Sequence, residues 1–326
     1  MISEHASVVQ KWSSDPPLTP ASKTSDPAAM GMLFIIGVAF AMTFVFNRLA
    51  ITNGVPLLPY VGWQAFGGAL ILLVVCAVKG EFPQISPQSL RLYFITGLFN
   101  ICIPVLILSL VAPKVPSGIL SLGLMLIPLM IYALALALGM DQFQWVRLIG
   151  ILAGLAGVLF VVLPQASLPS REMAGWVLLG LVAPLCYASG AILMAWFQTP
   201  APKSLLLACG LLSASAVMVL IAMTVTGSWW FFEGRFATGH WAVIGSMANQ
   251  AAIFVLMFEI IQRAGPVFFS TSNYIATLLG VALGMLFFGD SYSWWIWAAM
   301  VLMFIGLFCV NVIGVYKPRA IAAARM

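Results

Sequence analysis

The sequence predicts an all-α integral membrane protein with ten transmembrane helices arranged as two inverted five-helix repeats. Of its 326 residues, 63% are apolar and 7% are charged, whereas soluble domains carry roughly 25% charged residues. Apolar runs long enough to cross a hydrocarbon core of about 30 Å recur between Met30 and Val315. The two halves of the chain also resemble one another at a constant offset. Together these observations exclude a soluble globular fold.

The predicted spans are separated by short segments that carry Pro, Gly or a charged residue. The spans cover residues 31–50, 56–78, 90–112, 116–138, 144–163, 173–196, 204–226, 240–262, 266–288 and 292–315. The first 29 residues contain no apolar run and are rich in Ser, Pro, Thr and Ala, which predicts a disordered cytoplasmic tail at 1–29. Residues 316–326 are predicted to form a cytoplasmic C-terminal tail. The connections leave no room for a soluble catalytic domain.

The distribution of Lys and Arg predicts the orientation, because loops on the cytoplasmic side carry an excess of basic residues. With a cytoplasmic N-terminus, ten of the 14 basic residues face the cytoplasm, three face outward and Arg48 lies within the first span. The ten are Lys11, Lys23, Lys79, Arg91, Arg147, Lys203, Arg263, Lys317, Arg319 and Arg325. The three are Lys114, Arg171 and Arg235. We therefore expect a multi-pass protein of the cell (inner) membrane with both termini in the cytoplasm.

An internal repeat relates the two halves at an offset of 149 positions. This offset pairs Asn100 with Asn249, Lys114 with Arg263, Asp141 with Asp290, and Gly157 with Gly306. Each repeat, at 30–163 and at 173–315, then holds five spans. Because five is odd, the second repeat must be inverted in the membrane, which is an architecture of secondary transporters.

Several segments resemble the EamA domain of the drug/metabolite transporter (DMT) superfamily. They are Ser117-Gly118-Ile119-Leu120 through Pro128, then Gly139-Met140-Asp141, and then Leu148-Ile149-Gly150 to Gly157-Val158-Leu159. A second, weaker copy runs from Phe268 to Asp290 and from Trp294 to Val312. The resemblance implies a ten-helix carrier of small metabolites, often amino acids or related amphipathic compounds, that are often exported. The sequence departs from the family pattern at Asp141 and Asp290, where Glu is usual.

Neutral polar residues inside the spans are the candidate substrate-binding groups, because polar side chains in hydrocarbon face a cavity or another helix. In the ninth span four of them follow one helical face, and the eighth, first, third and fourth spans add others. Aromatic rings supply candidate apolar walls. The candidates are Thr43, Asn47, Arg48, Trp63, Asn100, Ser121, Tyr187, Asn249, Gln250, Ser270, Asn273, Tyr274 and Thr277. The alternative for any one of the polar groups is a hydrogen bond to a neighbouring helix.

For two charged residues, Arg48 and Glu259, the sequence allows both a functional and a purely structural role. Arg48 can hold a substrate carboxylate through paired hydrogen bonds, or it can extend to the headgroups at the end of its span. Glu259 is the carboxylate clearly inside a span and is the proton-coupling candidate, because burial disfavours its charged form. Its alternative is an ion pair with Arg263, four residues later on the same helix.

The expected partners are a small-molecule substrate and the lipid bilayer. The five cysteines are widely spaced within spans, so we expect no cofactor and no metal site. Scattered basic residues do not form a nucleic-acid surface. The pairs Gly150/Gly154 and Gly280/Gly284 predict close helix packing, within the bundle or across a homodimer. The alternatives to a carrier are a non-transporting assembly or sensory subunit and an integral-membrane enzyme, although no catalytic constellation is visible and we expect no enzyme activity.

Overall fold

Apolar helices make up the framework of the protein. The computed structural model describes residues 27–139, 143–162, 172–197, 203–232 and 236–310, and these segments contain helices and connections but no strands. The predicted tails at 1–29 and 316–326 lie outside the described residues, except that the first helix already begins at Pro27.

We number the helical segments α1 to α10 in chain order. They are α1 Pro27–Thr52, α2 Leu57–Lys79, α3 Pro87–Val111, α4 Ser117–Ala137, α5 Trp145–Val162, α6 Met173–Gly180 with Val182–Phe197, α7 Ser204–Thr226, α8 Thr238–Ser270, α9 Ser272–Phe288 and α10 Trp294–Phe308. Segments α1 to α8 are long and apolar enough to cross a membrane, whereas α9 and α10 are apolar but have 17 and 15 residues. The protein is therefore a multi-pass membrane protein, and ten crossings stay a prediction.

Prolines explain the irregular turns in three of these helices. A proline has no N–H to donate to the carbonyl four residues earlier. In α3 a π-helical turn at Leu98–Cys102 precedes Pro104, and in α4 a 3₁₀ turn at Gly123–Met125 precedes Pro128. In α6 the helix is interrupted between Gly180 and Val182, where Pro184 leaves the Gly180 carbonyl without its usual donor.

The main helix pairings connect the first five helices to the last five. Helix α1 packs against α8 and α9, α2 against α7 and α8, α3 against α6 and α7, α4 against α6 and α9, and α5 against α10. The set of pairings is symmetric between the two halves of the chain. If α1 to α5 are exchanged in order with α6 to α10, the same pairings result.

Glycines allow the closest of these contacts, between α5 and α10. A Cβ atom on Gly306 would lie 2.6 Å from the carbonyl oxygen of Gly150, and one on Gly150 would lie 2.7 Å from that of Gly306. A Cβ on Gly154 would meet Leu129 of α4, and one on Gly280 would meet Ser121. Both small-residue pairs predicted from the sequence therefore face neighbouring helices within the bundle.

Two apolar clusters form the interior. One is built mainly from α4, α5, α9 and α10, and its Met125 and Leu307 side chains are fully buried. The other is built mainly from α1, α2, α7 and α8, with Ile101 of α3 and Leu212 among its buried side chains. Polar side chains of α1, α2, α8 and α9 are also buried. The interior polar residues lie where helices of the two chain halves meet.

Candidate functional site

An ion pair joins the end of α1 to the connection between α9 and α10. The Nη1 atom of Arg48 lies 2.7 Å from Oδ2 and 2.9 Å from Oδ1 of Asp290. Only 21% of the Arg48 side chain and 7% of the Asp290 side chain are exposed. The guanidinium also lies over the Phe288 ring, 4.2 Å from its centroid. Arg48 therefore points into the bundle and bonds a carboxylate of the protein itself, a partner that the sequence did not predict.

Tyr292 extends this ion pair to α4. Its hydroxyl donates to Asp290 Oδ2 at 3.3 Å and accepts from the backbone N–H of Gly118 at 3.1 Å. Burial, together with the negative charge of Asp290, raises the pKa of Tyr292 to about 12. The hydroxyl therefore keeps its proton at neutral pH. We call Arg48, Asp290 and Tyr292 the Asp290 network, and the end of the bundle that it occupies the Asp290 end.

Replacing Tyr292 with Phe is expected to lower the melting temperature of the purified protein. The change removes one hydrogen bond to a carboxylate and leaves the Gly118 N–H without its acceptor, at a cost of about 1–3 kcal/mol. Differential scanning fluorimetry in detergent measures the effect. Tyr274→Phe is the matched control, because the buried Tyr274 hydroxyl has no hydrogen-bond partner among the described residues. Equal melting temperatures for the two variants would contradict the role assigned to Tyr292.

A second group of polar side chains lies where α1, α2 and α8 meet. Asn249 of α8 donates from Nδ2 to the Ala39 carbonyl and to Thr43 Oγ1, both at 3.0 Å. The Tyr60 hydroxyl of α2 donates to Asn47 Oδ1. We define the polar cluster as these residues with their buried neighbours, namely Thr43, Asn47, Tyr60, Gln64, Ser246, Asn249 and Gln250. None of its side chains carries a formal charge at neutral pH.

Two amides of the polar cluster have unpaired atoms. Asn47 is 1% exposed and its Nδ2 has no partner in the described part of the chain. Gln64 is 0% exposed and both Oε1 and Nε2 lack a partner there. Burying an unpaired polar group costs roughly 1–3 kcal/mol. Tyr60 and Gln64 were missed by the sequence analysis, although their i, i+4 spacing on α2 is the same signal that identified the polar face of α9.

The comparisons with known proteins identify the first half of the chain. The model of the EamA-like transporter family matches residues 28–163. This family is part of the DMT superfamily, so the match suggests a transporter of small molecules. A solved crystal structure of a protein has a TM-score of 0.60 to this chain at 16% identity, covering 89% of this chain and 98% of the other, which shows a shared fold. The comparison with curated proteins found no match.

Polar residues of the EamA-like segment find several of their partners outside it. Arg48 bonds Asp290, and Thr43 bonds Asn249. Thr277 of α9 donates to the Ser121 carbonyl at 3.1 Å, and Ser121 donates to the Gly118 carbonyl at 2.8 Å. The EamA-like segment and the second half of the chain therefore form the candidate site together.

The polar face predicted on α9 is divided among several neighbours. Thr277 contacts α4, while the Tyr274 ring lies 5.1 Å from the Phe304 ring of α10. Asn273 is 5% exposed. The side chain of Ser270 lies outside the described residues. On the described part of the α9 face Asn273 and Thr277 are therefore buried, while Tyr274 is half-buried and its hydroxyl has no partner among the described residues.

The remaining candidates are Asn100, Tyr187 and Trp63, and the hydrogen bonds and packing described for them involve residues outside the polar cluster. Asn100 donates to the Thr96 carbonyl within α3 at 2.9 Å and lies beside Gly190 of α6. Tyr187 packs against the first apolar cluster. Trp63 of the EamA-like segment donates from Nε1 to the Trp230 carbonyl at 2.8 Å and lines an apolar cavity of about 150 Å³.

Glu259 lies at the other end of α8 and is bonded by Arg263 Nε at 2.6 Å. Its side chain is 34% exposed and that of Arg263 is 52% exposed. The ion pair given as the alternative for Glu259 is therefore present. Among the side chains that the structure describes, no three His, Cys, Asp or Glu residues are placed to bind a metal ion.

Proposed function

We propose that the protein is a secondary transporter that exports small amphipathic metabolites, such as amino acids, by alternating access between two inverted repeats. The match of residues 28–163 to the model of the EamA-like transporter family supports a small-molecule transporter. The reproduction of the helix pairings at a shift of five helices supports the repeats at 30–163 and 173–315. In the orientation predicted from the basic residues, the Asp290 end faces outward and both termini face the cytoplasm.

The observation that carries this proposal is the ion pair between Arg48 and Asp290. It connects α1 of the first repeat to the α9–α10 connection of the second. Along α1, Arg48 lies nearer to the C-terminal end of the helix than Thr43 and Asn47 of the polar cluster. A bond between the repeats at one end is the arrangement expected of a carrier closed on that side. Opening this end requires the two charges to separate and Arg48 to find another anion.

A substrate carboxylate is the anion that we assign to Arg48. A guanidinium offers paired donors to a carboxylate, so a solute carboxylate reproduces the bonds that Asp290 makes. The neutral groups of Asn47, Asn249, Gln250, Asn273 and Tyr274 then contact the uncharged part of the solute. The other candidate residues are proposed to line the path of the solute through the protein; they are Ser121, Thr277, Ser270, Asn100, Trp63 and Tyr187. Glu259 remains the proton-coupling candidate, with release from Arg263 as the step that would expose it.

Counterflow in reconstituted vesicles tests the proposed function. Purified protein is inserted into liposomes that are preloaded with an unlabelled amino acid, and uptake of the same labelled amino acid is followed. A carrier exchanges solute without net flux, so label accumulates transiently. Protein-free liposomes and liposomes containing the Arg48→Ala variant are the controls. A folded wild-type protein that exchanges no amino acid or related amphipathic solute would rule out this function.

A further inference from the structure

Neither polar atom of the buried Gln64 amide has a hydrogen-bond partner among the described residues, and several buried serine hydroxyls share this lack of a partner. Asn249, a half-buried amide, donates two hydrogen bonds to α1. Gln64 is fully buried and forms none with the described residues through either amide atom. A polar side chain that served only to hold helices together would be expected to bond a neighbouring helix, as Asn249 does.

The position of Gln64 on α2 places it at the junction with α1 and α8. Tyr60, four residues earlier on the same helical face, bonds Asn47 of α1. Gly67, three residues later, lies against Met247 of α8, because a Cβ there would be 2.3 Å from Met247 Cγ. Gln64 lies between these two contacts. The unpaired Nδ2 of Asn47 belongs to the same junction.

We propose that Gln64, together with Asn47, recognises an uncharged amide-like group of the transported solute. This inference rests on the proposed carrier function and specifies its substrate. The Gln64 amide offers one acceptor and two N–H donors, and Asn47 Nδ2 offers further donors. A carboxamide presents the complementary donor and acceptor side by side. An ionised group is disfavoured here, because the polar cluster contains no counter-charge and burying an unpaired charge is costly.

The carboxylate partner assigned to Arg48 completes the predicted solute. Arg48 and Asn47 lie within one turn of α1 but point in different directions, so the solute has to bridge the two directions to present a carboxylate to Arg48 and an amide to Asn47. The predicted class is a small carboxylate-bearing solute that also carries a carboxamide or peptide group. Glutamine, asparagine and glycylglycine are the probes, and norvaline and leucine are the comparison solutes without an amide.

The test compares Gln64→Leu with the matched variant Asn249→Leu. Melting temperatures are measured without solute and with each probe, so binding is scored independently of transport. For Gln64→Leu we expect an unchanged or higher melting temperature without solute, because the change removes an unpaired buried amide. We also expect Gln64→Leu to bind the amide probes with roughly tenfold lower affinity, which is the effect of losing about one hydrogen bond to a buried amide. Asn249→Leu is expected to lower the melting temperature without solute.

Each outcome decides the proposal. A fall in the solute-free melting temperature of Gln64→Leu that matches Asn249→Leu would assign Gln64 to helix packing and overturn the inference. Unchanged preference of Gln64→Leu for amide probes would overturn it as well, and so would a wild-type protein that no amide probe stabilises. Amide-specific binding without counterflow would instead reject the carrier function while keeping the binding site.

Discussion

Reversing the charge at either Arg48 or Asp290 is expected to abolish counterflow, and exchanging both charges is expected to restore part of it. Arg48→Asp and Asp290→Arg each place two like charges side by side in a largely buried location. Breaking a buried ion pair costs about 3–5 kcal/mol, and we expect roughly 3 kcal/mol here because Arg48 keeps a fifth of its side chain exposed. The double variant restores the opposite charges.

The pair between Glu81 and Lys203 is the control for this experiment. It also joins connections from the two chain halves, but its side chains are 35% and 69% exposed. Exposed ion pairs contribute about 0–1 kcal/mol, so Glu81→Lys is expected to leave both counterflow and melting temperature nearly unchanged. If the double Arg48/Asp290 variant were no more stable than either single reversal, the two residues would not be coupled as we propose.

Replacing Gly306 with Val is expected to cause the largest loss of stability among the changes considered. The added atoms would meet the backbone carbonyl of Gly150, which cannot move without displacing α5 from α10. Overpacking of a well-packed interior costs typically 1–3 kcal/mol and more where the neighbour is backbone. Detergent melting temperature and the yield of monodisperse protein in gel filtration measure the effect.

Gly175 supplies the matched control for Gly306. It also lies in a helix, within the first part of α6, but a Cβ added there meets nothing within 4 Å. Gly175→Ala is therefore expected to be neutral or to stabilise the helix by about 0.5–1 kcal/mol. A Gly306→Val protein as stable as the wild type would show that α5 and α10 do not approach as closely as described.

The sequence predicts the helices well because hydrocarbon thickness imposes their length and composition. The predicted spans 56–78 and 204–226 correspond to α2 at Leu57–Lys79 and α7 at Ser204–Thr226. The largest difference is at α8, which continues to Ser270 although the sequence predicted that one span ends at 262 and the next begins at 266. The sequence also did not predict the π-helical turn of Leu98–Cys102. Hydropathy reports burial in lipid, whereas such a turn depends on which backbone carbonyl loses its donor.

The candidate site was less predictable, because its contacts cross between distant parts of the chain. Arg48 and Asp290 are 242 positions apart, and nothing local indicates that they meet. Gln64 is singled out because its amide has no hydrogen-bond partner among the described residues. The sequence alone does not indicate which polar side chains lack a partner in the folded protein. The assignment of the candidate residues to substrate stays a prediction until binding is measured.

The interleaved helix pairings have a consequence for how the protein is made. Most partners of α1 and α2 lie in α7, α8 and α9, so the early helices enter the membrane long before their partners exist. About 190 residues separate the end of α1 from the start of α8, and ribosomes add roughly 5–20 residues per second. The nascent chain must therefore hold the buried Asn47 and Gln64 amides unpacked for roughly 10–40 seconds. These amides therefore have to be kept from unpaired exposure to lipid hydrocarbon throughout that interval.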